Sequence, residues 1–61
     1  MRLIDVINQR KISKLQLALN AKITPSDLYQ ALSGKKEFFP AWKKRIANYL
    51  KVDISELFEE I

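Results

Sequence analysis

The sequence predicts a compact all-α domain of five short helices. Three observations carry that prediction. Apolar residues recur at helical spacing. Segment starts bear N-capping residues with a suitable partner three positions on. Glycine and proline are too scarce, and alternation too brief, for a sheet. The chain has 61 residues, enough for one core only. It has no cysteine and no histidine, so neither a disulfide nor a structural zinc site can staple it. Helix packing, self-association or a partner must supply the stability.

The first helix runs from about Leu3 to Arg10, with Leu3, Val6 and Ile7 on one face and Asp5, Asn8 and Gln9 opposite. The second begins after Ser13 and reaches about Asn20. Ser13 and Gln16 stand in capping-box spacing, and Leu15, Leu17, Ala18 and Leu19 carry its apolar content. The third begins after Thr24, a good N-cap. Pro25 suits the first turn and Asp27 sits near the positive end of the helix dipole. Leu28, Ala31 and Leu32 form the inner face, and Gly34 is the left-handed stop. The fourth starts near Pro40, with Trp42, Ile46, Tyr49 and Leu50 on one face and Lys44, Asn48 and Lys51 on the other. The fifth follows Asp53, in capping-box spacing with Glu56, and carries Ile54, Leu57 and Phe58. Trp42 belongs to the core. One of Phe38 and Phe39 staples helix four, while the other is left for a dimer contact or a place near a DNA sugar; Leu57, Phe58 and Ile61 divide in the same way between the core and such a contact.

Composition removes most enzymes. Without histidine there is no Ser–His or Cys–His nucleophile pair, and one glycine cannot build a phosphate-cradling loop. No convergent catalytic set is visible, so no enzyme and no cofactor or metal is expected. The longest uncharged runs, Leu15 to Ala21 and Leu28 to Gly34, are far below the ~20 residues of a membrane span. No segment near Met1 reads as a signal peptide, so a cytoplasmic protein is the expectation.

Charge is the first positive clue. Residues 1–51 hold all eleven Lys and Arg against Asp5, Asp27 and Glu37, a net charge of +8. Residues 52–61 hold Asp53, Glu56, Glu59 and Glu60, a net charge of −4. A basic body with an acidic end points to a polyanion partner.

The connection between helices two and three, Asn20-Ala21-Lys22-Ile23, is short enough to force a steep crossing. That is the spacing of a helix-turn-helix. Ala18 is small where the two helices approach. Leu17, Ile23 and Leu28 are apolar where the pair seats on the domain. With Leu28, Ala31 and Leu32 inward, Ser26, Gln30 and Ser33 face outward and Tyr29 lies at the flank. Such a face is uncharged and hydrogen-bonding. An ordinary solvated helix face more often carries Lys and Glu.

Ser13 to Lys35, S-K-L-Q-L-A-L-N-A-K-I-T-P-S-D-L-Y-Q-A-L-S-G-K, resembles the helix-turn-helix of the Cro/phage-repressor family, also called the XRE family. Ile46 to Phe58, I-A-N-Y-L-K-V-D-I-S-E-L-F, is similar to that family's fourth and fifth helices. The resemblance implies a five-helix lambda-repressor-like fold and sequence-specific binding to a double-stranded DNA operator, often as a homodimer. Matched by position, it implies base contacts from Pro25, Ser26, Tyr29, Gln30 and Ser33, and phosphate contacts from Lys14, Lys35 and Lys36. Thr24 and Lys44 join the phosphate set, and Lys43 and Arg45 flank it, although a basic run on a helix is ordinarily solvated face.

Two positions depart from the family pattern. Lys22 stands where glycine is common, so a left-handed backbone there costs ~1 kcal/mol. Pro25 replaces a hydrogen-bonding reader and can only touch a thymine methyl or a sugar. Direct readout then rests on Ser26, Tyr29 and Gln30.

The expected function is a repressor- or Cro-like regulator of a phage or mobile element, associated with the nucleoid and needing no small-molecule effector. The alternative is a protein-interaction module of the same fold: an antirepressor, antitoxin or recombination accessory protein.

Overall fold

A computed structural model describes residues 2–58. It contains five helices: α1 (Arg2–Arg10), α2 (Lys14–Asn20), α3 (Pro25–Leu32), α4 (Pro40–Leu50) and α5 (Ile54–Phe58). The described residues form no strand, so the all-α expectation holds. Glu59, Glu60 and Ile61 lie outside the described residues, and with them half of the acidic end and one expected dimer contact. No helix is long and apolar enough to cross a membrane.

One core joins the helices. Leu3, Leu17, Leu28, Ile46 and Leu57, one from each helix, are fully enclosed, and no polar residue is buried among the described residues. The helix α2 packs against α3 and α4, while α5 packs against α1 and α4. Ala18 is fully buried on α2, as expected of the small residue at the α2–α3 approach.

Helix ends explain how so short a chain turns so often. The first four helices each stop at a residue with positive φ: Lys11 (53°), Lys22 (57°), Gly34 (88°) and Lys51 (58°). In each, the next backbone N–H reaches back across the last turn. Ile12 donates to Ile7 O at 3.0 Å, Ile23 to Ala18 O at 2.9 Å, Lys35 to Gln30 O at 2.8 Å and Val52 to Ala47 O at 3.2 Å. This is the Schellman closure, which satisfies otherwise orphaned carbonyls. The expected stop at Gly34 and left-handed backbone at Lys22 are both present. Lysine carries some strain at such a position, but it sets a cation near the negative end of the helix dipole. Arg10 adds a second device: its Nη1 donates to the Leu50 carbonyl at 2.7 Å, tying α1 to the end of α4.

Several expectations are corrected. Ser13 caps α2 by accepting the Gln16 N–H at 3.3 Å, but the Gln16 side chain does not complete a capping box. Its Oε1 accepts from Asn20 Nδ2 instead, at 3.4 Å. Thr24 makes no side-chain cap. Its carbonyl accepts from the Leu28 N–H, and Pro25 has already removed one orphan donor. Asp53 opens α5 through its backbone carbonyl, which accepts from Glu56 and Leu57.

Periodicity also overcounted the core. Leu15 and Leu19 are 48% and 60% exposed, and Tyr49 and Ile54 face outward as well. Trp42 is half-buried against the core and edge-on to Phe39, ring centroids 4.6 Å apart. Phe38 is the staple: it is buried, and its ring lies 5.1 Å from that of Phe58. Phe39 is 53% exposed.

Two stability outcomes follow from the helix ends. Gly34→Ala lowers stability by about 1 kcal/mol although open space surrounds the new Cβ, because the penalty is conformational. Lys11→Gly raises stability by a fraction of ~1 kcal/mol, since relief of strain exceeds the added entropy of the unfolded chain. Urea unfolding followed by circular dichroism measures both.

Candidate nucleic-acid interface

The outward face of α3 is built by the same pattern that builds the core. Leu28 and Ala31 are buried and Leu32 is half-buried. That rotation leaves Ser26, Tyr29, Gln30 and Ser33 exposed, with Pro25 half-buried at the first turn. The four exposed side chains carry no charge and offer hydroxyl and amide groups. Gln30 has a firmly held backbone. Its carbonyl accepts the Lys35 N–H at 2.8 Å, the Lys36 N–H at 3.3 Å and the Ser33 hydroxyl at 3.0 Å. Ser33 therefore directs its proton back onto the helix, and only oxygen lone pairs remain for an outside donor.

Lys14 is the first residue of α2 and is exposed. It lines a groove of about 480 Å³ together with Tyr29 and Ser33 from the end of α3 and Ile4, Ile7 and Asn8 from α1. The fold thus brings together three of the expected contact residues from two helices. Asn8 is an addition that the sequence did not indicate. On helix one it reads as plain solvated face, and only the tertiary fold, which sets residues of α1 and α3 around one groove, carries it to Lys14.

The remaining basic residues divide. Lys35 is exposed just past α3. Lys36 is also exposed, but its Nζ lies 2.5 Å from Asp27 Oδ1, so its charge is largely compensated. Lys44 lies in a separate depression with Asn48, Val52, Asp53 and Ile54. Lys43 sits over the Phe58 ring at 5.5 Å, a cation–π arrangement. Arg45 is half-buried. Thr24 is exposed with its hydroxyl uncommitted to the helix end. Of the basic groups proposed from sequence, Lys14 and Lys35 flank the α3 face most openly.

No protein-family model, curated protein or solved structure matches this chain.

The Ser33 bond generates a prediction that does not depend on any ligand. Ser33→Ala removes one hydrogen bond at the end of α3 and lowers stability by about 0.5–1 kcal/mol. Thermal unfolding checks it. The Lys36–Asp27 pair, being exposed, contributes less than ~1 kcal/mol, so Asp27→Asn shifts the same midpoint only slightly.

Proposed function

We propose that the protein is a sequence-specific duplex-DNA-binding regulator, repressor- or Cro-like, reading the major groove with α3. One observation carries the reading. An uncharged hydrogen-bonding face, with Ser26 and Gln30 at its centre, is flanked by the exposed lysines Lys14 and Lys35 on a body of net charge +8. Lysines at the edge anchor phosphates without reading sequence, while amide and hydroxyl groups read base edges. Gln30 is the principal reader, because its amide can pair with both N7 and N6 of adenine. Its three-way backbone anchorage holds the side chain's origin in place. One such helix spans only a few base pairs, so specific binding uses two chains on half-sites about 34 Å apart. In this reading the protein acts at the nucleoid of a bacterial or phage-infected cell.

A second reading, a protein-interaction module, is favoured by the exposure of Leu15 and Leu19. They lie one turn apart on α2 and present an aliphatic pair to the outside.

Selection of duplexes from a random pool, followed by titration of variants, separates the two readings. Gln30→Ala weakens binding to selected duplexes by about tenfold to a hundredfold. Binding to scrambled duplexes stays within about twofold, because no charge is lost. If the pool yields no preferred sequence, or Gln30→Ala binds selected duplexes as the parent does, the readout assignment fails. The interaction module then becomes the better reading.

Salt dependence tests the lysines. Each phosphate contact adds about −0.9 to the slope of log affinity against log salt. Lys14→Ala makes the slope shallower by about that amount and weakens binding to every sequence alike. Asp27→Asn acts oppositely: it frees Lys36 for the backbone and strengthens nonspecific binding at low salt.

A further inference from the structure

A second basic site lies apart from the α3 face. The C-terminal end of α2, the turn after it and the middle of α4 enclose a shallow pocket of about 430 Å³. Its lining is Asn20, Lys22, Arg45, Asn48 and Tyr49, and no residue of α3 takes part. It holds two cations and no carboxylate. The sequence explains why, since neither α2 nor α4 contains an acidic residue. Between Asp5 and Asp27, and again between Glu37 and Asp53, the chain has none at all.

Arg45 marks the site most sharply. It projects from the middle of α4, is half-buried, and its Nε is shielded from solvent without a hydrogen-bond partner. Among the described residues no carboxylate pairs with it, the ion pair present being Lys36–Asp27. A shielded guanidinium donor without an acceptor is unfavourable, and a half-buried cation without a counter-charge more so. An anion in the pocket that Arg45 lines would supply the missing counter-charge. Lys22 contributes the second charge. Its left-handed backbone, at φ 57°, is set by the closure of α2, so its starting point beside the pocket is fixed. Asn48 and the Tyr49 hydroxyl add neutral donors, whereas Asn20 only walls the pocket, its Nδ2 being committed to the Gln16 carbonyl at 2.8 Å and to Gln16 Oε1 at 3.4 Å.

We propose that this pocket binds a phosphoryl group, neutralised by Arg45 and Lys22 and positioned by Asn48 and Tyr49. A phosphoryl group fits better than a single carboxylate on two counts. Two cations match a charge near −2, and three terminal oxygens can engage a guanidinium fork together with amide and hydroxyl donors. The site is independent of the DNA reading: it uses none of the α3 contacts, Lys14 or Lys35. The group that meets both counts is the phosphomonoester of a small phosphorylated compound; a nucleic-acid backbone is a phosphodiester, with one charge and two non-bridging oxygens, and meets neither.

The test is a titration of the ¹⁵N-labelled chain with inorganic phosphate, at pH 7.5 and constant ionic strength held with sodium chloride. Saturable amide shifts are expected at Lys22, Ile23, Asn48 and Tyr49. Arg45→Met and Lys22→Met each weaken binding by about tenfold or more, the scale expected for loss of a charge-assisted contact. Lys11→Met, which removes the same charge from the same backbone conformation at the end of α1, leaves it within about twofold. Circular dichroism verifies the fold of each variant. If Arg45→Met does not fold, Lys22→Met at its exposed turn and Arg45→Lys, which keeps the charge but loses the fork, carry the test.

Shifts that grow linearly without saturation overturn the proposal. So does acetate binding at the same amides with equal affinity, or wild-type affinity in both Lys22→Met and Arg45→Lys. A scrambled duplex added to the phosphate-saturated protein identifies the source. Simultaneous occupancy supports a site for a small phosphorylated compound, and displacement of phosphate from these amides overturns it in favour of a backbone contact.

Discussion

The left-handed residue that closes each of the first four helices is the constraint on which the rest of the molecule depends. Five helices fit into so short a chain only if each reversal takes two or three residues beyond the helix. At Lys11, Lys22 and Lys51 the backbone turns through positive φ, and the following N–H returns to a carbonyl of the last turn. The residue delivering that N–H is Ile12, Ile23 or Val52, and its side chain packs into or against the core. One local event thus ends a helix, satisfies its carbonyls and adds an apolar residue to the interior. At Gly34 the same backbone device is followed by Lys35, so there it puts a cation at the surface. Three of the four closures serve the core, and the fourth serves the candidate interface.

Much of this was legible in the sequence, and the exceptions have physical causes. Ser13 and Gly34 announce a helix start and a helix stop by chemistry that acts over a few residues: Gly34 behaves as read, and Ser13 caps α2 although Gln16 does not return the bond. The left-handed turn at Lys22 was legible as well. Those at Lys11 and Lys51 carry the same signature, lysine followed by a β-branched apolar residue, but lysine alone does not advertise positive φ. Thr24, at φ −59° and ψ 130°, makes no side-chain cap, and its hydroxyl accepts nothing from the first turn of α3. Leu15, Leu19 and Tyr49 illustrate a different limit. Periodicity ranks positions around a helix but does not say how wide a stripe the neighbouring helices will cover. A domain this small cannot cover all of its apolar residues.

The candidate interface divides in the same way. The outward set Ser26, Tyr29, Gln30 and Ser33 follows from the inward set Leu28 and Ala31, so one helical wheel suffices to find it. Grouping Lys14 with Tyr29, Ser33 and Asn8 requires the packing of three helices, which no local pattern encodes. The compensation of Lys36 by Asp27 also lay hidden. Nine positions apart, they are on no common helical turn, and only the reversal at Gly34 brings the ammonium back to the start of α3. Electrostatics at the interface is therefore a tertiary property, although the charges themselves are plain in the sequence.

Helix length has a consequence for the lifetime of the molecule. The elements have 9, 7, 8, 11 and 5 residues, each below the ~12–15 needed for an isolated helix to persist in water. None survives when its neighbours leave, and the bond from Arg10 to the Leu50 carbonyl links segments at opposite ends of the order. Opening is then nearly all-or-none, and the opened chain offers a protease extended backbone along most of its length. Where opening and reclosing are faster than cleavage, degradation follows the equilibrium population of open molecules. Small changes in stability at one helix end, or occupancy by a ligand, thereby become changes in the amount of protein a cell retains.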